Sequence, residues 1–406
     1  MGGKASLLIV LGFSLIFMVY GRQAIQLSAT TTENVSSYYY KTRAHHMAVS
    51  GVNMIVNKIF LDPNLADNTY TFFLDKDTIK VKLETTDSYL NIKRLLSTGC
   101  SAGNQNTIKI ILKPSQFSKY AYFSNDEGGV NWTNQDTIYG PMHTNGDINI
   151  IGSPVFFGKV SIGGSIDKGT GYKPSFLGGL QQNLKVNIPP TGVSSVNSAQ
   201  AISPGGKKFT GKSVIYLEFR KDSIRYRFST TGAYTYELAS AMAPNGIIYC
   251  EKAEVHIKGT VKGNYSIASS GTSGSEGQIY IDDDVVYNTN PVTTPSSTDM
   301  LGIVAERNVI ITDNTANNTG GVKIHASIYA QNGSFTAQNY STRTLAGAIQ
   351  LLGGITQNNR GAVGTVSGTT LAHGFSKSYR YDNRLLVSYP PAFPGCGTFE
   401  IVSWFE

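Results

Sequence analysis

The chain has 406 residues and a formal net charge of +7, and it contains 43 glycines but only 15% charged residues. Soluble domains typically carry about 25% charged residues and about 7% glycine. The composition therefore argues against helical bundles and coiled coils and favours short strands joined by tight turns. Collagen is excluded because the glycines have no three-residue period.

An uncharged apolar run, Ala5–Tyr20, opens the chain after Lys4 and ends before Arg22. As a helix it spans about 24 Å, slightly less than the ~30 Å hydrocarbon core of a membrane. Three interpretations fit it: a cleaved secretory signal, a plain signal anchor, and a pilin-like leader cut between Gly3 and Lys4. All three place the chain from Arg22 onward outside the cytoplasm. The predicted membrane-helix residues include Ala5, Leu8, Gly12 and Tyr20.

A second helical pattern follows, in which apolar residues from Ala44 to Ile59 recur at i, i+3 and i+4 spacing. Asp62-Pro63 ends it, because the residue before a proline is disfavoured in a helix. We expect this helix to pack its apolar stripe against the following sheet, and a further interpretation makes it the lower half of a long pilin-type stem. His45 and His46 are adjacent and so face different directions, which does not favour a shared metal.

Strand patterns dominate the rest of the chain. Thr69–Leu83 and Val214–Phe228 each alternate around a short polar turn and predict hairpins. From Ile138, and again from Gly246 and Leu301, turn residues recur between short apolar runs. This pattern favours a parallel β-solenoid, and a large β-sandwich or meander is the alternative.

The predicted fold class is therefore mainly β. It comprises an N-terminal hydrophobic helix and an amphipathic helix, followed by a β-rich body with an irregular parallel, β-helix-like solenoid interrupted by an insertion. The predicted segments are a leader or membrane helix (1–27), a stem helix (28–62), a small β-rich region (63–137), first solenoid coils (138–166), an inserted lobe with a hairpin (167–245), the main solenoid (246–375) and a C-terminal cap (376–406).

The run Asp282-Asp283-Asp284 is the densest acidic cluster. Strand alternation places Asp282 and Asp284 on one face, and Glu254 precedes them in a neighbouring predicted coil. These carboxylates are candidates for binding calcium or for binding or cleaving a glycan, whereas a solvated turn is the simpler interpretation.

The sequence offers no further catalytic, metal or cofactor site. His143 and Asp147 are spaced to meet across the Asn145-Gly146 turn, but no nucleophile accompanies them in a recognisable context. No CxxC pair occurs among the three cysteines, which allow one disulfide at most. The glycines near Gly353-Gly354 fit no nucleotide-binding spacing. The basic residues are dispersed, so no clustered face for nucleic acid is predicted.

Two stretches, Tyr139–Phe157 (YGPMHTNGDINIIGSPVFF) and Leu301–Trp404, resemble an uncharacterised bacterial envelope family of PilX-like pilus-assembly proteins. The resemblance implies a pilin-type leader and an envelope location. It also implies partners among the pilins or pseudopilins of a type IV pilus or type II secretion machine. Similar leaders often keep Glu at the fifth mature position, where cutting after Gly3 places Leu8; this departure resembles tip-type minor pseudopilins.

Together these observations predict a non-enzymatic, envelope-anchored structural or assembly protein, similar to a minor pilin or pseudopilin. Its body lies outside the cytoplasm, in the periplasm or at the cell surface. The predicted partners are membrane lipid, through the N-terminal helix, and other pilin-like subunits, with no nucleic acid, nucleotide, metal or cofactor. The alternative is a secreted β-solenoid protein that binds or cleaves polysaccharide.

Overall fold

The computed structural model describes residues 2–87, 91–134, 136–188, 192–367 and 370–406. Strands contain 45% of the residues and helices 21%. The predicted mainly β fold, with an N-terminal apolar helix and a body of parallel strands, is therefore confirmed. The chain divides into two compact units, the first reaching to Pro114 and including Thr398–Glu406, the second spanning Ser115–Gly397.

The elements of the described chain are numbered in chain order. The helices are α1 (Gly2–Leu61), α2 (Gly192–Gln200), α3 (Ala239–Met242) and α4 (Thr315–Asn318), with 3₁₀ turns at Phe117–Lys119 and Asn383–Leu386. The strands are β1 (Asn68–Leu74), β2 (Asp77–Asp87), β3 (Ile92–Ser101), β4 (Asn104–Gln116), β5 (Tyr122–Asp126), β6 (Trp132–Thr133), β7 (Thr137–Tyr139), β8 (Met142–Thr144), β9 (Ile148–Ile151), β10 (Val155–Phe156), β11 (Val160–Ile162), β12 (Ile166–Lys168), β13 (Ser175–Phe176), β14 (Leu180–Gln181), β15 (Lys207–Phe209), β16 (Val214–Lys221), β17 (Ser223–Arg227), β18 (Thr235–Leu238), β19 (Ile247–Cys250), β20 (Glu254–Val261), β21 (Asn264–Ser269), β22 (Ile279–Tyr287), β23 (Met300–Ala305), β24 (Val309–Ile311), β25 (Val322–Ala330), β26 (Phe335–Ala337), β27 (Leu345–Asn359), β28 (Gly364–Ser367), β29 (Thr370–Arg380) and β30 (Gly395–Phe405).

In the first unit, the C-terminal part of α1 packs on a five-stranded sheet of order β1-β2-β3-β4-β30. The pairs from β1 to β4 are antiparallel. Ala48, Val52, Ile55 and Ile59 recur on one helix face and are buried in one cluster with the inward side chains of β2, β3 and β4. The predicted packing of this apolar stripe on the following sheet is therefore confirmed.

The helix and the sheet approach each other closely at Gly99 of β3. A Cβ atom at Gly99 would overlap the backbone oxygen of Ala44, and nearby the Ser97 hydroxyl donates to the Ala48 carbonyl at 2.7 Å. We expect Gly99→Ala to lower the unfolding free energy of this unit by about 1–3 kcal/mol, because the helix must move outward. Thermal denaturation followed by circular dichroism measures this. In the matched control Gly21→Ala no atom outside the adjacent backbone of the same helix lies within 4 Å of the added methyl, and equal melting of the two variants would contradict the expectation.

In the second unit, each strand from β19 to β25 pairs in parallel with the strand two positions later in the chain. This is the pairing of a chain that winds in successive coils, each stacked on the one before. Inward side chains such as Val255, Ile279 and Val309 therefore form continuous buried columns. Their neighbours in each strand point outward.

The coils do not stack in simple chain order. The early strands β5 and β7 pair in parallel with the late strands β27 and β29, and β13 and β14 end the stack on that side. At the other end, β16, β17 and β18 form an antiparallel extension. The hairpin of the predicted lobe thus extends the stack, and β30, assigned from sequence to a cap, lies in the sheet of the first unit. The finer segment boundaries stay predictions.

Candidate functional site

The N-terminal part of α1 presents an extensive apolar surface. Between residues 3 and 43 the structure describes no buried residue. Leu8 is 72% and Tyr20 67% exposed, and no other part of the described chain lies within 4 Å of a Cβ built at Gly3 or Gly12. Lys4 and Ala5 are exposed at the start of the same helix. The helix is long and apolar enough to cross a membrane, and exposing such a surface to water costs roughly 25 cal/mol per Å².

The middle of α1 is polar but keeps the helix continuous. The hydroxyls of Thr30, Thr31 and Thr32 each donate to the carbonyl four residues earlier, at 2.7–2.9 Å. These bonds satisfy the side-chain donors within the helix itself. One helix therefore joins the exposed apolar segment to the part that is packed on the sheet.

Two of the three candidate carboxylates meet on the outer face of the body. The imidazole of His256 contacts Asp282 through Nδ1 at 2.9 Å and Glu254 through Nε2 at 2.9 Å. The Thr312 hydroxyl also donates to Asp282, at 2.6 Å. Glu254 and His256 are two residues apart on β20, so both side chains point outward. β22 pairs with β20 and therefore lies beside them. The sequence interpretation missed His256, although its E-x-H spacing on a strand was visible.

Asp284 does not join this cluster. Its carboxylate accepts a bond from the backbone N–H of Lys323 at 2.7 Å. The pairing of β20 with β22 shifts between Ile257 and Gly259, which leaves extra residues around Asp283. Such an irregularity breaks the simple alternation from which one shared face for Asp282 and Asp284 was predicted.

His256 is also the centre of an aromatic stack. Its ring lies 4.5 Å from the Tyr216 centroid and 4.9 Å from the Tyr280 centroid, with interplanar angles of 20° and 13°. Burial lowers the pKa of His256, but the hydrogen bonds and charges of Asp282 and then Glu254 outweigh this effect, so the pKa is raised. The arrangement therefore favours an imidazolium that links adjacent coils.

We expect His256 to stabilise the body most at low pH. Because its folded pKa is raised, its contribution is fully present below the unfolded pKa of about 6.5 and is lost as the pH rises through the folded value. The difference in unfolding free energy between the wild-type protein and His256→Gln should therefore shrink as the pH rises above 6.5. Urea denaturation over pH 5.5–8.5 measures it, with the exposed His46→Gln as control. A difference that does not vary with pH would contradict the expectation.

His143 forms other contacts than those predicted. Its Nδ1 contacts the Ser161 hydroxyl at 2.7 Å and its Nε2 contacts the Asn145 amide oxygen at 2.8 Å. Asp147 instead accepts from the backbone and hydroxyl of Ser165. His143 is fully buried, and the pKa of its imidazole is lowered by this burial. The His143 side chain therefore packs between coils.

A buried ion network, which the sequence analysis missed, joins the early and late coils. Arg360 donates to Glu127 at 2.9 Å, and the two side chains are 3% and 2% exposed. The guanidinium lies 3.9 Å from the Trp132 ring centroid, and Lys377 pairs with Asp136 at 2.8 Å. Burial raises the pKa of Asp136, but the charges of Lys377 and Arg360 outweigh this and lower it. The two residues of each pair are more than 200 positions apart in the sequence, so no local motif predicts them.

Among the described residues, no three His, Cys, Asp or Glu side chains are arranged to hold a metal ion. Cys100 and Cys250 form no disulfide within the described chain. Burial raises the pKa of Cys250 well above that of an ordinary thiol, so this thiol stays protonated and unreactive.

The chain is similar to a protein family and to a solved structure. A domain of unknown function, DUF4900, matches residues 78–165, a range that begins in β2 and ends after β11. The crystal structure of the competence-associated pilin ComZ from Thermus thermophilus is similar over 90% of this chain and 97% of that chain, with 11% sequence identity and a TM-score of 0.37. No curated protein matches the chain.

Proposed function

We propose that the protein is an envelope-anchored, non-enzymatic assembly protein of pilin-like kind. The apolar segment of α1 inserts into a membrane or into the apolar core of a filament. The rest of the helix attaches this segment to the sheet of the first unit. The parallel-strand body then lies outside the cytoplasm, where it acts as a rigid spacer or binding platform.

The observation that carries the proposal is the difference in burial between the two ends of α1. Ala48, Val52, Ile55 and Ile59 are buried against the sheet, whereas the apolar side chains from Leu7 to Tyr20 are 50–75% exposed. An apolar surface of this extent is stable only when it is covered by lipid or by other apolar helices. The PilX-like resemblance of the sequence supports the same location and partners.

Cell fractionation combined with sequencing of the mature amino terminus tests the proposal. We expect the protein in the membrane or filament fraction, with the apolar segment retained. A mature terminus at Lys4 would support a pilin-like leader, and an uncut terminus a signal anchor. A soluble periplasmic protein that starts well beyond Tyr20 would refute the proposal.

The polysaccharide alternative has weaker support. Glu254 and Asp282 are both engaged with His256, and Asp284 is engaged with a backbone N–H. Glycoside hydrolysis needs two carboxylates that flank the scissile bond of the substrate. Here Glu254 and Asp282 instead contact the same histidine. Loss of glycan binding in an Asp282→Asn/Asp284→Asn variant with unchanged melting would favour this alternative.

A further inference from the structure

An open cavity lies on the outer surface of the second unit, where the early strands β7 and β10 stack beside the late strand β29. Ile138 and Phe156 are buried, so the residues that follow them, Tyr139 and Phe157, point outward. Arg380 pairs in parallel with Tyr139, and these outward residues line a cavity of about 640 Å³. Small-molecule sites typically have volumes of about 300–1,000 Å³. We call this feature the Tyr139 cavity.

One face of the Tyr139 ring is covered, and the other is open. The Phe157 ring stacks on Tyr139, with centroids 4.6 Å apart and an interplanar angle of 11°. Because Phe157 and Arg380 flank Tyr139 in neighbouring coils, the second face of the tyrosine is directed towards β29. Among the described residues, no other aromatic ring and no cation lies over this face, and Tyr139 is 51% exposed. The cavity therefore presents an unoccupied aromatic face.

Three polar side chains beside this face have no partner within the part of the chain that the structure describes. Ser378, Arg380 and Asn383 line the cavity and are exposed, and none of them forms a side-chain hydrogen bond or ion pair with a described residue. No lining residue is acidic. Asp382, which lies between two of them in the chain, is buried and paired with Arg384 at 2.6 Å. The Arg380 guanidinium is therefore available to an anion.

These groups together select the chemistry of a ligand. A guanidinium binds a carboxylate or a phosphate through two parallel hydrogen bonds. A serine hydroxyl and an asparagine amide both donate and accept, which suits hydroxyl groups. An open tyrosine face, whose quadrupole is negative, attracts the slightly positive C–H groups of a saturated ring. Phosphate alone, or an acidic peptide side chain, would use Arg380 but would leave the aromatic face of Tyr139 uncovered.

We propose that the Tyr139 cavity binds an acidic saccharide, in which a pyranose ring carries a carboxylate. The C–H face of the pyranose lies on Tyr139, the carboxylate accepts hydrogen bonds from Arg380, and the ring hydroxyls exchange hydrogen bonds with Ser378 and Asn383. This site is separate from the carboxylates around His256. It gives the binding platform of the proposed function a class of ligand, and it rests on that proposal for the position of the body outside the cytoplasm.

Saturation-transfer difference NMR with trigalacturonic acid tests the proposal on the full chain, in micelles of a detergent that has no sugar headgroup. We expect the C–H protons of the pyranose rings to be saturated, because they contact Tyr139. The fully methyl-esterified trimer is the neutral match of this probe. It should bind about 10-fold more weakly, since it loses the charge-assisted hydrogen bonds to Arg380.

Two variants separate the carboxylate contact from the contact with the ring. Arg380→Gln should remove the preference for the acid, so that the acid and the ester bind equally. Tyr139→Leu should weaken the binding of both trimers about 2- to 12-fold and should keep the preference for the acid. Both positions are exposed, so the melting temperatures should match that of the wild type. Arg220→Gln and Tyr236→Leu alter exposed residues elsewhere on the body and should leave binding unchanged.

Three results would overturn the proposal. The first is an absence of saturation of the trimer by the wild-type protein. The second is a preference for the acid that persists in Arg380→Gln. The third is loss of binding in Asp282→Asn/Asp284→Asn, because the saccharide would then bind at those carboxylates. Membrane anchoring can fail without changing any of these outcomes, so a failure of this proposal is distinguishable from a failure of the proposed function.

Discussion

Replacing Arg360 with methionine is expected to lower the unfolding free energy of the second unit by about 3–5 kcal/mol. The substitution keeps much of the side-chain volume but leaves Glu127, only 2% exposed, without its cation. A buried carboxylate without a partner is far more costly than the loss of one surface pair. Trp132, which stacks on the guanidinium, reports the transition by fluorescence when Trp404 is replaced by phenylalanine.

Two further variants show whether the unpaired charge of Glu127 causes this loss of stability. Arg360→Met/Glu127→Gln removes both charges, so it should be clearly more stable than Arg360→Met alone. Arg380→Gln removes an arginine that is exposed, so it should change stability by less than about 0.5 kcal/mol. Equal stability of Arg360→Met and Arg380→Gln would show that the network contributes little.

Two arginines placed in the apolar segment, Leu11→Arg/Leu15→Arg, should release the protein from the membrane fraction. Each arginine near the centre of a spanning helix costs about 2.5–3.5 kcal/mol, so the pair reduces insertion more than a thousandfold. Both leucines are more than half exposed, so the fold of the first unit should remain intact.

The matched control places the same charges in the polar part of α1. Thr31→Arg/Val35→Arg should leave the protein in the membrane fraction, because these positions lie outside the apolar segment. Quantitative immunoblotting of fractions compares the two variants. Equal retention of both would refute the role of the apolar segment in anchoring.

Features that depend on local pattern could be predicted from the sequence. The hairpin predicted at Thr69–Leu83 is the antiparallel pair β1–β2, and the second hairpin is β16–β17. The amphipathic stripe from Ala44 to Ile59 is buried as its spacing indicated. In each case, neighbouring residues alone set the periodicity and the turn.

Features that depend on distant pairing could not be predicted. The network of Arg360 and Glu127 joins residues 233 positions apart, and the shared site of Glu254 and Asp282 depends on the register of two coils. Strand alternation predicted that Asp284 shares a face with Asp282, and this was wrong because the β20–β22 pairing contains an irregularity.

The pairing of β5 and β7 with β27 and β29 has a consequence for biogenesis. Tyr122 finds its partner Ile355 only after most of the chain has been made. During synthesis, the early coils consequently expose an unsatisfied edge, which is a site for aggregation and proteolysis. Assembly of the body is thus completed late, and any product truncated before β27 lacks the surface on which its first coils are built.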